Sequence, residues 1–384
     1  MSRLSRRSLL AAAATAGATR VPPSAWAQAP HAGDLFVVIA GEGPRLNTAV
    51  LTELQDHPDF HLPVGTLRIE NVPWIATELR EEVDAGLPGT DAVITNIAGH
   101  ALGAARDLWQ EVPAALLAAN TPGLTPAGQL VQERIGASGL VLGAVPGGPV
   151  LVHRRSVLPT APRTAEELLD YARQNPRRFQ YTRPGQSRFG QTFVTGLPYL
   201  LNDSDPLDPR AGWPATWAYL AELGQHVAYY PSSGEAATEE FLEGGVDLST
   251  ALLGPYLLGM GQRLLPPDTL CTPFQAAPLL PHSLILAVPR GVAEARIAQL
   301  QPLAAFLGQP GMQRHVFGRG LVPGTGPRVT DTTPTDRLWT EALTPSLAAE
   351  LEGRAVAPPL SAAARAYMLR AWDDRIGSHY GETR

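Results

Sequence analysis

The sequence predicts an α/β protein whose sheets are mostly parallel and flanked by helices. Three observations lead there. Residues 35–39, an apolar run, and residues 64–69 and 91–94 read as short strands, with segments of helical periodicity between and after them. Breaks rich in Gly and Pro, Gly41-Glu42-Gly43-Pro44 and Gly86-Leu87-Pro88-Gly89, punctuate the alternation. The first run, Leu-Phe-Val-Val-Ile, is apolar throughout rather than at alternate positions, which suits a strand buried on both faces. Strands spaced by helices of this length favour parallel neighbours.

The later chain follows the same pattern. Gly143, Gly147 and Gly148 lead into Pro149-Val150-Leu151-Val152-His153, read as a short strand. Thr164 and Glu167 have capping-box spacing: the Thr hydroxyl can accept from the Glu167 amide while the Glu reaches back to the Thr amide. The helix so started buries Leu168, Leu169 and Ala172 and ends before Pro176. A Pro- and Asp-rich loop at 202–214 precedes a helix over 215–223. Ser232-Ser233-Gly234 opens a short helix that Gly244-Gly245 stops. Residues 246–250 and 283–288 read as strands. Ile297, Leu300, Leu303, Ala304 and Leu307 then share one face of a helix ending at Gly308. Beyond Thr335 the tail is helical, with a break at Pro358-Pro359.

The N-terminus reads as a twin-arginine export signal. Ser5-Arg6-Arg7-Ser8-Leu9-Leu10 carries the arginine pair, and residues 9–19 form a short apolar stretch. That stretch is too short to span a bilayer, which takes roughly 20 apolar residues. Arg20 lies between the stretch and the small-x-small site Ala25-Trp26-Ala27, a position where a basic residue disfavours the general secretory route. Cleavage after Ala27 leaves about 357 residues, enough for two domains.

Composition removes several chemistries. Residues 1–27 hold four Arg and no Asp or Glu, so their loss moves the formal charge from −6 to −10. An acidic protein of this kind is a poor partner for nucleic acid. The chain has no Lys, which excludes a Schiff base, a phosphate-loop lysine and a lysine general base. Its one Cys, Cys271, can form neither an intramolecular disulfide nor a zinc cluster. The nine His lack metal-ligand spacing, and no cofactor is expected. Gly185-Gln186-Ser187-Arg188-Phe189 lacks the second Gly of a nucleophile elbow. An exported hydrolase or transferase therefore stands behind a binding protein as the alternative function.

The order of elements resembles a bacterial extracellular, periplasmic solute-binding protein of an ABC transporter, family 1. Four segments carry the resemblance: Glu78-Leu79-Arg80 through Gly86 to Ile94; Gly147 to Arg155 with the Pro-Arg-Thr-Ala-Glu-Glu-Leu-Leu helix start; Phe241-Leu242-Glu243-Gly244-Gly245-Val246-Asp247-Leu248; and His282 to Pro289 with its following helix. Asn47, Arg178-Phe179-Gln180-Tyr181, Phe189-Gly190 and Phe193 are similar to the YnjB-like branch. Where that branch commonly has an uncharged first loop, this chain has Ala40-Gly41-Glu42-Gly43. The resemblance implies a type II periplasmic-binding-protein fold: two lobes, a ligand cleft between them, and crossover strands at 149–153 and 283–288. Lobe one would hold 34–145 plus 286–312, and lobe two 150–280 plus 336–384. It implies no catalysis, a small-molecule solute and a membrane permease as partners, and a monomer in the periplasm. A solute-binding subunit of a sensor is the other reading of the same fold.

In such folds ligands sit beyond strand ends and near helix N-termini, whose free amides accept polar groups. Four loops qualify: 41–45, 95–99, 181–189 and 253–256. The candidate ligand-binding residues are Glu42, Trp74 and Asn96 from lobe one, and Tyr181, Arg183, Ser232 and Tyr256 from lobe two. Each also has a structural reading. Asn96 can hold a turn, Ser232 and Ser233 can cap a helix, Tyr256 can pack in a core, and Tyr181, Arg183 and Arg188 can form a solvated rim. Tyr229-Tyr230 invites ferric binding, but neighbours on a strand point to opposite faces. Arg183 and Arg188 suit a carboxylate or phosphate, while Glu42 and Asp247 suit a cation, so a mixed-charge organic solute fits both. His282, at the start of a strand, could reach the cleft.

The export reading has a direct test. Replacing Arg6 and Arg7 with Lys is expected to leave the precursor in the cytoplasm, as cell fractionation and blotting would show. Normal accumulation of the doubly substituted protein outside the cytoplasm would contradict the twin-arginine route.

Overall fold

A computed structural model describes residues 35–40, 64–70, 72–86, 88–118, 124, 126–275, 277–307, 344–351 and 354–379. The signal segment and Glu42 lie outside them. The first sheet opens with β1 (Leu35–Ala40) and β2 (Val64–Glu70), paired in parallel. Helices α1 (Val72–Ala76) and α2 (Glu78–Asp84) lead to β3 (Ala92–Asn96), which runs parallel to β1 on its other side. Then come α3 (Ile97–Ala104), the two-residue β4 (Trp109–Gln110), α4 (Ala114–Ala118) and α5 (Pro126–Ile135). The expected burial of β1 on both faces is realised. Leu35, Val37 and Ile39 enter one core cluster, whereas Val38 and Ala40 enter another. Ala92 and Ile94 of β3 divide from Val93 in the same way, as the two-residue period of a strand requires.

The long β5 (Leu140–Gly148) carries the chain toward the second sheet, which begins at β6 (Val150–Arg154). Helix α6 (Ala165–Gln174) starts at Thr164, and the capping box forms: Glu167 donates its amide to the Thr164 hydroxyl at 3.1 Å, and its carboxylate accepts from the Thr164 amide. The short β7 (Phe179–Gln180), α7 (Arg188–Leu200), α8 (Pro214–Leu223), α9 (Gly234–Glu243), β8 (Leu248–Ala251), α10 (Leu253–Gly261) and β9 (Thr269–Pro273) complete this region. The sheet order is β7-β8-β6-β9. Leu151 faces a core with Phe179, Phe193, Leu220 and Trp372, while Val150 and Val152 face the opposite cluster with Tyr256 and Leu257.

β10 (Leu280–Pro289) returns to the first sheet, where it pairs antiparallel with β3, β4 and β5. Helix α11 (Glu294–Leu307) packs Ile297, Leu300 and Leu303 onto that sheet. The C-terminal α12 (Pro345–Leu351) and α13 (Ala362–Arg375) add Leu347, Met368 and Trp372 to the cores of the second lobe.

Two expectations need correction. The first crossover strand is β5, residues 140–148, rather than 149–153. The latter segment already belongs to the second sheet, where β6 pairs with β8 and β9. Both sheets are also mixed rather than mostly parallel. β10 is antiparallel to all three of its partners, and β6 to both of its own. A strand re-entering from another lobe needs no helical crossover, so nothing enforces parallel pairing there.

Helix α7 is seated by two close approaches. The Gly190 amide donates to Thr182 Oγ1 at 2.6 Å, and a Cβ at Gly190 would lie 1.7 Å from the Thr182 carbonyl oxygen. A Cβ at Gly196 would lie 2.6 Å from Pro149 Cγ, where the crossover enters the second lobe. Gly190→Ala is therefore expected to cost at least about 1–3 kcal/mol, because backbone must move to admit the methyl group. Denaturant unfolding measures this, and an unchanged midpoint would mean that α7 is not held by that contact.

Candidate functional site

A cleft of about 720 Å³, part of it open to solvent, lies between the two lobes. The first lobe contributes the start of α3: Asn96, Ile97 and Ala98, with Ala101 one turn on. The second contributes Arg188, Gln191, Thr192 and Thr195 of α7, together with Leu252. Gly147 of β5 and Leu280 of β10 form part of the wall, so both crossover strands reach the site. Pro359, Leu360 and Arg365 from the C-terminal region complete it.

Local sequence explains how each wall is made. Asn96 ends β3 and caps α3, its Oδ1 accepting from the Gly99 amide at 2.9 Å. That places the first turn of α3 at the cleft. Ser187 caps α7, its hydroxyl accepting from the Phe189 amide. Arg188, Gln191, Thr192 and Thr195 follow at i, i+3, i+4 and i+7, which puts them on one face. Phe193 and Leu197 take another face into the core. Helix α13 brings Arg365. Its buried residues are Met368, Ala371 and Trp372, and Arg365 precedes Met368 by three residues, so it extends the inward stripe.

Arg365 has an unusual environment. Its side chain reaches the surface in part, but its Nε is sealed from solvent and has no hydrogen-bond partner. One Nη donates to Gln191 Oε1 at 3.2 Å. Burial pushes its pKa down from the ordinary guanidinium value, the direction expected for a desolvated cation.

Of the seven expected ligand residues, the structure places Asn96 on the cleft. Glu42 lies outside the described residues. Trp74 is buried in the first lobe with Ile75 and Leu79, its Nε1 donating to Glu78 Oε2 at 3.0 Å. Tyr181 is fully buried. Its ring packs 5.0 Å from Phe193 and 4.9 Å from Tyr230, and its hydroxyl accepts from Trp372 Nε1 at 3.2 Å. Tyr256 sits within α10 rather than in a loop, and its hydroxyl donates to the Thr269 carbonyl at 3.2 Å. These three rings fill the lobe cores because each core needs aromatic volume beside short strands. Arg183 is half-exposed, does not line the cleft and pairs with Asp373 at 2.9 Å. Ser232 is exposed at the start of α9, and Ser233 caps that helix by accepting from the Ala236 amide. Asp247 is engaged by Arg178 and by the Tyr171 hydroxyl, so it offers no charge to the cleft. The side chain of His282 lies outside the described set.

The tyrosine pair diverges. Tyr229 donates to Glu240 Oε2 at 2.8 Å, and its pKa is pushed up to about 12 by burial and by that carboxylate. Tyr230 stacks edge-on against Trp372 at 4.8 Å. Neither tyrosine lines the cleft. Among the described residues, no group of three or more His, Cys, Asp or Glu could hold a metal.

A family model for bacterial extracellular solute-binding proteins matches residues 61–325, well over half of the chain. The chain belongs to that family. Solved structures support the same two-lobed fold. An ABC transporter protein from Clostridium perfringens has 11% identity and a TM-score of 0.66, covering 90% of this chain and 100% of that one. The apo ferric ion-binding protein A of Pasteurella haemolytica has 12% identity and a TM-score of 0.64, covering 91% and 100%. A periplasmic thiamin binding protein has 14% identity and a TM-score of 0.59, covering 90% and 97%. No curated protein matches the sequence. In this family of solute receptors the interlobe cleft is the candidate solute site. Arg188, read from the sequence as suited to a carboxylate or phosphate, lines the cleft. Sequence reasoning missed Gln191, Thr192 and Thr195 on the same face and Arg365, although the polar i, i+3, i+4, i+7 series from Arg188 and an Arg on an apolar helical stripe were both visible.

The position of Arg183 yields an expectation. Arg183→Ala should lower stability by less than about 1 kcal/mol, because its ion pair is half-exposed. Chemical denaturation checks this, and a loss of several kcal/mol would place Arg183 in a role that its exposed pair does not explain.

Proposed function

We propose that this protein is the periplasmic solute receptor of an ABC importer and captures its solute in the cleft between the lobes. The observation that carries the reading is the composition of the cleft wall. Both lobes and both crossover strands line it, through Asn96 and Ala98, through Arg188 and Thr192, and through Gly147 and Leu280. A solute held there touches both lobes only when they approach, so binding favours the closed state. A permease that docks the closed form then receives loaded receptor in preference to empty receptor. The family assignment and the ABC transporter protein among the similar folds support this reading. The arginine pair Arg6-Arg7 and the Ala25-Trp26-Ala27 site support export to the periplasm by the twin-arginine route. The receptor works as a monomer, and the residues from Arg178 to Phe193 support the YnjB-like branch.

A thermal-shift screen of solutes identifies binders, since a ligand of the native state raises Tm by mass action. X-ray scattering of the mature protein is then expected to show a smaller radius of gyration at saturation. Ala101→Trp, which fills the cleft from α3, should abolish both responses while leaving the fold intact. Unchanged scattering at saturation, or wild-type affinity in Ala101→Trp, would place the binding site elsewhere.

A further inference from the structure

The cleft wall differs in charge from the chain as a whole. The full sequence is acidic, with a formal charge of −6. The described cleft residues include two arginines, Arg188 and Arg365, and no Asp or Glu. Arg365 has no carboxylate within ion-pairing distance among the described residues, whereas Arg163, Arg173, Arg178, Arg183, Arg290 and Arg296 each have at least one. Its one recorded side-chain hydrogen bond is to a neutral amide, Gln191. Its Nε–H remains buried and unsatisfied.

A partly desolvated guanidinium whose buried Nε–H lacks a partner is unfavourable in the empty protein. An apolar residue at position 365 would continue the stripe of Met368, Ala371 and Trp372 without that cost. The cost is recovered if an anion enters, because a guanidinium–carboxylate or guanidinium–phosphate pair in a site of low dielectric is strong and directional. The helices agree in sign. Residues of the first turns of α3 and α7 line the same cleft, and helix N-termini carry partial positive charge.

Resting on the receptor reading above, we propose that the solute carries an anionic group, a carboxylate or a phosphate. Arg365 presents its guanidinium to that group at the cleft wall, beside the Arg188 face of α7. Gln191 holds the guanidinium in place and does not neutralise it. Of the two carboxylates from which a cationic part of the solute was expected, Asp247 is taken by Arg178 and Glu42 lies outside the described residues. The remainder of the solute lies against Ala98, Ala101, Leu252 and Leu280.

The test uses the full mature protein and four probes at constant ionic strength: inorganic phosphate, acetate, choline and glucose. Saturable Tm elevation by phosphate or acetate is expected, with none from choline or glucose, and the stronger of the two anions tells phosphate from carboxylate. In Arg365→Met the apparent affinity for that anion should fall about tenfold or more. The Tm of the empty variant should hold or rise, because a stranded buried charge is gone. Arg365→Lys, which keeps the charge but loses the planar fork, should retain a weakened response and serves if the Met variant does not fold. Equal anion responses in wild type and both variants would overturn the proposal. So would elevation by choline or glucose alone, no response to either anion, or anion binding that survives in Ala101→Trp. A cleft that closes on a neutral or cationic solute with Arg365→Met unaffected would leave the receptor reading standing and remove only the anion.

Discussion

The pairing of β5 with β10 is the constraint on which the rest of the molecule depends. These strands lie antiparallel from Gly148 opposite Leu280 to Leu140 opposite Leu286. One takes the chain out of the first lobe and the other brings it back. Each lobe has its own buried cores, so most apolar residues of one are buried without the other. Shared backbone at the ribbon therefore sets the relation between them. Register shifts occur between Leu280 and Pro281 and between Leu284 and Ile285. Bulges of this kind bend and twist a strand, and the first falls beside the cleft-lining Gly147 and Leu280.

The cleft follows from that ribbon and from the way α7 is seated. Gly196 against Pro149 ties α7 to the end of the crossover, and Gly190 against Thr182 fixes its first turn. The polar face from Arg188 to Thr195 is thereby held in place before any solute arrives. Lobes with cores of their own, joined through the paired β5 and β10, suit a receptor. Binding energy can then favour one lobe arrangement over another instead of ordering side chains.

Charge is handled differently in the cleft and elsewhere. Asp91 meets Arg296 and accepts from the Phe36 amide, which ties β1 to the start of α11. Asp247 meets Arg178 beside β7 and β8. These pairs satisfy partly buried groups inside one lobe. Arg365 is left with a neutral partner at the interlobe wall. Among the described residues, no carboxylate competes with an external anion for Arg365.

The sequence alone determined the elements whose causes are local. The capping box at Thr164 and Glu167, the two-face burial of β1, the Gly244 stop of α9 and the cap at Asn96 all follow from neighbouring residues. They formed as those residues require. The family resemblance was likewise legible in short motifs. Which side chains face the cleft was not. Tyr181, Trp74 and Tyr256 lie near strand ends in the sequence, but packing drew them into the lobe cores. Arg365 meets Gln191 across 174 positions of chain, and no local pattern encodes that distance. Only the docking of α13 on the second lobe, driven by the burial of Met368 and Trp372, decided that this arginine would line the cleft.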